Sequence, residues 1–234
     1  MREELIDQGQ SRCCFCAELA QGKMPDEFVE KSGIVNRVIS ESENFVAVPS
    51  ISPLSPGHVL VVSKQHITSL SQLEQGAVGD LCAFADGLIE AVTANFRRPI
   101  LFEHGVGRGK VGGCGVNHAH LHIVPLQEGI GERVQSTLFN HFCFRETTTL
   151  EDFLQKGDGI NSYLIFGLDK HKMFYCFDES VPSQFVRRIL ATETENRSWD
   201  WKMTTGWADF ARTYKCLSVC AGHPENRRGR IGEN

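Results

Sequence analysis

Residues 117–125 read NHAHLHIVP, with His118, His120 and His122 at every second position. Successive side chains of a β-strand point to opposite faces. The run therefore puts three imidazoles on one face and Ala119, Leu121 and Ile123 on the other. One strand with two roles is predicted, its aliphatic face sealing a core and its histidine face open to chemistry. A single strand histidine is ordinarily a satisfied core or surface residue. Three in strict alternation are harder to explain that way, because adjacent protonated rings repel and each buried ring nitrogen needs a partner.

Upstream, the loop GVGRGKVGGCG carries glycines at 105, 107, 109, 112 and 113. Such a loop lets backbone approach a ligand closely, and its amides can meet phosphate oxygens; the plainer reading is a flexible hairpin connection. ILFEH before it reads as a strand, and Leu81, Phe84, Leu88, Ile89 and Val92 give a helical period between about 67 and 96, with Gly76 and Gly79 blurring its start. Residues 34–49 read as two short strands broken at SESEN, and Val59 to Val62 in GHVLVVSKQH form another β run. After Pro125 the character changes. NSYLIFGLD and KMFYCFDE read as a hairpin joined near Lys170 to Lys172, followed by a helix in SQFVRRILATE and a polar tail. Arg187 and Arg188 of that helix are candidates for a second phosphate contact, against the plainer reading of a solvated face. Trp199 and Trp201 in SWDW alternate as packed strand residues would.

The 234 residues suffice for one large domain or a domain with an extension. A hydrophobic share of 41% and a charged share of 23% are those of an ordinary globular protein. No apolar run approaches the ~20 residues of a membrane span, and MREELIDQGQ lacks a signal-peptide core, so a cytoplasmic location without membrane contact is expected. A net charge of −5 argues against binding a nucleic-acid polymer, though a local phosphate site remains compatible with it.

Nine scattered cysteines, only three of them clustered in CCFC at 13–16, point to reduced thiols or a metal site and not to a disulfide framework. Cys13 and Cys16 have the C-x2-C spacing that aims two thiolates at one zinc, with Cys14 an alternative to Cys13. His66 and His118 are the best candidates for the other two ligands, and this donor set favours zinc over magnesium or calcium. Four protein ligands would make the zinc structural.

Taken together, CCFC, PLSPGHVLVVSKQH at 53–66 and GCGVNHAHLHIVP at 113–125 resemble the histidine-triad (HIT) superfamily of nucleotide hydrolases and transferases over residues 13–126. The resemblance implies an α+β, HIT-like fold, an antiparallel sheet with packed helices, usually dimeric. Residues 1–126 would form the HIT domain and 127–234 a C-terminal α+β extension packed on it. It further implies His120 as the nucleophile that attacks an α-phosphorus, His122 and His58 as imidazoles beside that phosphate, and zinc on Cys13, Cys16, His66 and His118 as in the uridylyltransferase branch. Two departures stand out. The family's Gln-Ser-Val before the triad is Cys114, Gly115, Val116, and its ribose-holding aspartate is Ser50. Ser50, Gly113 and Gly115 are accordingly the remaining candidates for nucleotide or phosphate contact. The third histidine, His122, is glutamine in the uridylyltransferases and dinucleotide phosphorylases, which favours hydrolysis. The expected activity is release of a nucleoside monophosphate from a nucleotide or dinucleotide substrate, with nucleotidyl transfer and a non-catalytic nucleotide-binding scaffold as alternatives.

Overall fold

A computed structural model of the chain describes residues 13–107, 113, 115–156, 161–195 and 199–220. Two short helices, α1 (Cys14–Gln21) and α2 (Asp26–Ser32), precede strands β1 (Ser40–Glu41), β2 (Phe45–Pro49) and β3 (Val59–Ser63). A 3-10 turn at Leu70–Gln72 leads into the long helix α3 (Gln75–Asn95), then β4 (Pro99–Gly105) and β5 (His120–Pro125). The second half adds α4 (Ile130–His141), β6 (Arg145–Thr147), α5 (Leu150–Lys156), β7 (Tyr163–Asp169), β8 (Lys172–Cys176), α6 (Phe185–Glu193) and α7 (Trp207–Cys220). The described strands form one antiparallel sheet in the order β1-β2-β3-β5-β4-β7-β8-β6. The fold is α+β. No helix among the described residues is long and apolar enough to cross a membrane.

Three expectations change in detail. The helix expected from about 67 begins at Gln75, because Glu74 is still extended at φ −66°, ψ 148°. The triad strand enters the ladder at His120, not at 117; Ala119 meets the end of β3, where its carbonyl accepts from the Ser63 amide at 3.3 Å, and its amide donates to the Ile67 carbonyl of the following loop at 2.7 Å. Trp199 and Trp201 lie on no strand. They flank a turn in which the Asp200 carbonyl accepts from the amides of Met203 and Thr204 at 3.1 and 2.9 Å.

Alternation along the strands assigns the faces. Val59, Val61, Leu121 and Ile123 join the core under α3, which contributes Val78, Leu81, Ala85, Leu88 and Val92 at three- and four-residue spacing. On the opposite face, α4 and α6 cover Ile100, Phe102, Val124 and Phe166, while Phe15 of α1 packs near Val46, Val48, Leu60 and Val62. Between these two covers the sheet face over β3 and β5 is left as a groove.

Candidate active site

The sheet register sets His120 opposite Val62, and His122 between Leu60 and Phe102. His122 stacks on the Phe102 ring, with centroids 4.1 Å apart and planes 7° from parallel. That leaves the ring little rotational freedom.

Backbone groups decide which nitrogen of each ring carries the proton. The Leu54 amide donates to His58 Nδ1 at 3.1 Å, so neutral His58 holds its proton on Nε2. His58 Nε2–H in turn donates to His122 Nδ1 at 2.9 Å, which leaves His122 protonated on Nε2. His122 Nε2 is buried and has no partner among the described residues. A buried donor without an acceptor is costly, and here it stands in the wall of a pocket. His120 has the opposite tautomer. Its Nδ1–H donates to the His118 carbonyl at 2.6 Å, so its Nε2 bears a lone pair.

Burial holds all these rings below the ordinary imidazole value. His120 is pushed down to about 4, mainly by burial with Arg187 adding to it; His58 and His122 lie well below 6.5 by burial first and neighbouring charge second. The guanidinium of Arg187 acts on all three. Phe15 of α1, Leu60 of β3, His120 and His122 of β5, Arg187 of α6 and Trp201 line the pocket.

Ser50, His120 and His122 therefore meet in one pocket. His58 is fully buried behind His122 and touches that pocket through the shared hydrogen bond. Gly113 and Gly115 stand outside the lining. The Gly113 carbonyl accepts from the Gln184 amide at 3.1 Å. Gly115 has φ +92°, and a Cβ there would come within 2.7 Å of Trp201 Nε1, so this position takes no side chain while the indole is in place. Residues 108–112 and 114, which include part of the glycine-rich loop, lie outside the described residues, as does His223. His104 is buried outside the pocket lining, and His141 and His171 are exposed.

Arg187 corrects the plain reading of SQFVRR. It is 2% exposed while Arg188 faces solvent and lies over the Trp199 ring at 4.4 Å. Arg187 Nε donates to the Trp199 carbonyl at 2.8 Å, and its Nη2 donates to the Ser52 carbonyl at 2.8 Å and the Ser52 hydroxyl at 3.1 Å. Arg37, a pocket residue that no motif indicated, is engaged differently: it forms a two-point ion pair with Glu18, 2.7 Å on each arm, and donates to the Pro49 carbonyl.

A second cluster abuts the first. Cys13, Cys16, His66 and His118 each present a donor atom, all within 4.8 Å of one another. Cys13 Sγ lies 3.3 Å from His118 Nδ1, and Cys16 Sγ lies 3.2 Å from His66 Nδ1 and 3.5 Å from His118 Nδ1. Tetrahedral zinc with S and N ligands needs donors roughly 3.3–3.8 Å apart, a range that these three thiol–imidazole separations match closely, while the widest separation in the set would have to close by up to about 1 Å. His118 Nε2–H donates to the Ser63 carbonyl at 2.6 Å, which turns the Nδ1 lone pair toward the thiols, an orientation suited to a metal ligand. Burial and the neighbouring thiols push Cys16 up to about 12, so a cation bound here would have to displace its proton. Cys13 belongs to this group, whereas Cys14 faces the pocket instead.

A sheet bearing three alternating histidines, with a fourth imidazole locked behind them, defines the histidine-triad class. Residues 31–129 match the HIT domain. An uncharacterised HIT-like protein of Methanocaldococcus jannaschii is 31% identical over 126 residues, which cover 53% of this chain and 85% of that protein. The chain belongs to the HIT family. An AP-4-A phosphorylase of Mycobacterium tuberculosis is 32% identical over 93 residues, 39% of this chain and 47% of that enzyme. Among solved structures, a zinc-bound histidine triad family protein from Mycobacterium smegmatis aligns at 25% identity and a TM-score of 0.37, over 51% of this chain and 78% of that one.

Proposed function

We propose that this chain is a nucleotide phosphohydrolase acting through a covalent nucleotidyl-His120 intermediate. The observation that supports it best is the pair of opposed tautomers: His120 offers a lone pair at Nε2, and His122 beside it offers an N–H that no group among the described residues accepts. A nucleophile next to a pre-aimed donor is what attack on a phosphoryl group requires. The His120 Nε2 pair forms the N–P bond as the bond from phosphorus to the leaving group breaks. Water then attacks phosphorus, the pair returns to Nε2, and a nucleoside monophosphate and a proton are released. His58 is the positioning residue that fixes the His122 tautomer, and Ser50, which lines the same pocket, is the candidate for nucleotide contact.

Cys13, Cys16, His66 and His118 are proposed to hold a structural zinc. It would tie α1 to the triad strand and leave no position open for substrate, so every catalytic step belongs to the imidazoles. Nucleotidyl transfer to phosphate is the second reading, favoured by the identity shared with an AP-4-A phosphorylase.

Intact-protein mass spectrometry after rapid alkaline quench tests the first step. Samples are incubated with dinucleoside polyphosphates, nucleoside phosphoramidates and nucleotide sugars. The wild type should gain a nucleotidyl mass that His120→Ala lacks, and turnover of the variant should fall by about three orders of magnitude or more. A variant that retains activity rules out this nucleophile. Adding inorganic phosphate separates the two readings: a nucleoside diphosphate product means transfer, a monophosphate means hydrolysis.

A further inference from the structure

Gln184 is the N-cap of α6, yet its backbone is left-handed at φ 59°, ψ 22°, where an N-cap is ordinarily extended. Glu195, the other described non-glycine residue with positive φ, follows the last turn of the same helix, where left-handed backbone is common. Gln184 is also buried. A strained, buried residue at a helix start implies contacts that hold it there.

Those contacts lead to the segment ahead of the triad. The Gln184 amide donates to the Gly113 carbonyl at 3.1 Å, and its Cγ lies 3.7 Å from where a Cβ of Gly115 would stand. Its side-chain amide reaches a second loop: Oε1 accepts from the Trp201 amide at 3.3 Å, and Nε2 donates to Asp200 Oδ1 at 3.2 Å. Trp201 Nε1 in turn stands 2.7 Å from the same Gly115 position. Gly113 packs against β4 as well, since a Cβ there would meet the His104 carbonyl at 2.7 Å and Val106 at 2.8 Å. Both glycines have positive φ, +70° and +92°, so bare backbone fits where side chains do not. Val116, the next residue, lines the pocket and packs on the cluster of Phe15 and Leu60; Trp201 lines the pocket too.

We infer that Gln184 is a positioning residue: it clamps Gly113 and Gly115 to the Trp201 loop and so fixes the Val116 and Trp201 walls of the pocket relative to each other. Gln184 itself is outside the lining, so it acts through these walls. The inference rests on reading this pocket as the nucleotide site. A wall already in place needs no ordering when the ligand arrives, so the clamp favours affinity and leaves the chemistry of the imidazoles alone. Its loss belongs in KM and not in kcat.

The test uses Gln184→Gly and Gly115→Ala in the full-length protein, alone and together. Glycine suits left-handed backbone and is tolerated at an N-cap, so Gln184→Gly removes the side-chain link and should keep Tm within about 3 °C of the wild type. Gly115→Ala puts a methyl group against the Trp201 ring nitrogen. KM is measured for diadenosine tetraphosphate, and Kd by calorimetry for the 5′-monophosphates of adenosine, guanosine, uridine and cytidine. Each single variant should raise KM, and Kd for the monophosphate that the wild type binds best, about tenfold, with kcat within about threefold. The double variant should lose less than the product of the two, since both release the same contact. Unchanged KM and Kd, a double variant that loses the full product, or a loss confined to kcat or to Tm would overturn the clamp. If the wild type does not turn over diadenosine tetraphosphate, the Kd values alone decide the clamp, and the hydrolase is judged separately by the adduct. A wild type that binds none of the four monophosphates removes the nucleotide pocket and the clamp with it.

Discussion

Glu103 is the carboxyl for which the surroundings do most. It is fully buried on β4, its Oε1 accepts from the Leu70 amide at 2.9 Å, and its Oε2 accepts from the Tyr163 hydroxyl. Burial pushes it up to about 8 even though both of these bonds act to lower it. The unfolded chain releases this proton near 4.5, and the folded chain keeps it until about 8. Between those values the native state binds the extra proton, so stability is full below 4.5 and falls as pH rises, by up to about 1.4 kcal/mol per pH unit, levelling off above 8. Glu103→Gln, a neutral mimic of the protonated acid, should flatten that slope. Urea unfolding of both proteins from pH 5 to 9 measures it, and parallel curves would refute the assignment. In the sequence Glu103 is an unmarked residue of a strand, because its partners lie 33 and 60 positions away. The triad was legible for the opposite reason: alternation within nine residues is a local pattern that any strand converts into one face.

Among the elements, α1 depends most on its surroundings. It has eight residues and no side-chain N-cap, too short to hold its shape alone. Phe15 beneath it, the Glu18–Arg37 ion pair and the Cys13/Cys16 cluster seat it over the groove. Purified protein should therefore carry one zinc per chain by elemental analysis. Removing it with a strong chelator should lower Tm by about 4 °C or more and raise amide exchange in α1 while β4 and β7 stay protected. Unchanged melting and exchange after chelation would remove the structural role from the metal. The C-x2-C spacing pointed to this site, but the choice of Cys13 over Cys14 depended on how α1 docks: Cys13 precedes the first turn and faces His118, and Cys14 points into the pocket.

At the scale of the molecule, the two halves share one sheet. β7 pairs with β4 from Leu101 to Gly105, and Phe166 lies opposite Phe102, the ring on which His122 stacks. A chain ending at residue 126 would expose the whole edge of β4 and lose the α4 and α6 cover over Ile100, Phe102 and Val124. Residues 1–126 alone should thus yield a poorly dispersed, aggregating sample by two-dimensional NMR, where a dispersed monomeric spectrum would show that they fold independently. The sequence by itself determined the strand and helix periods, the order of the motifs and the histidine face, because each follows from spacing within a few residues. Only the tertiary structure decided that Arg187 turns inward instead of to solvent, that Trp201 leaves a presumed strand to enter the pocket, and which nitrogen of each imidazole holds its proton. Those outcomes depend on carbonyls, amides and cavities contributed by segments up to 135 residues away, and such partners leave no periodic trace in the chain.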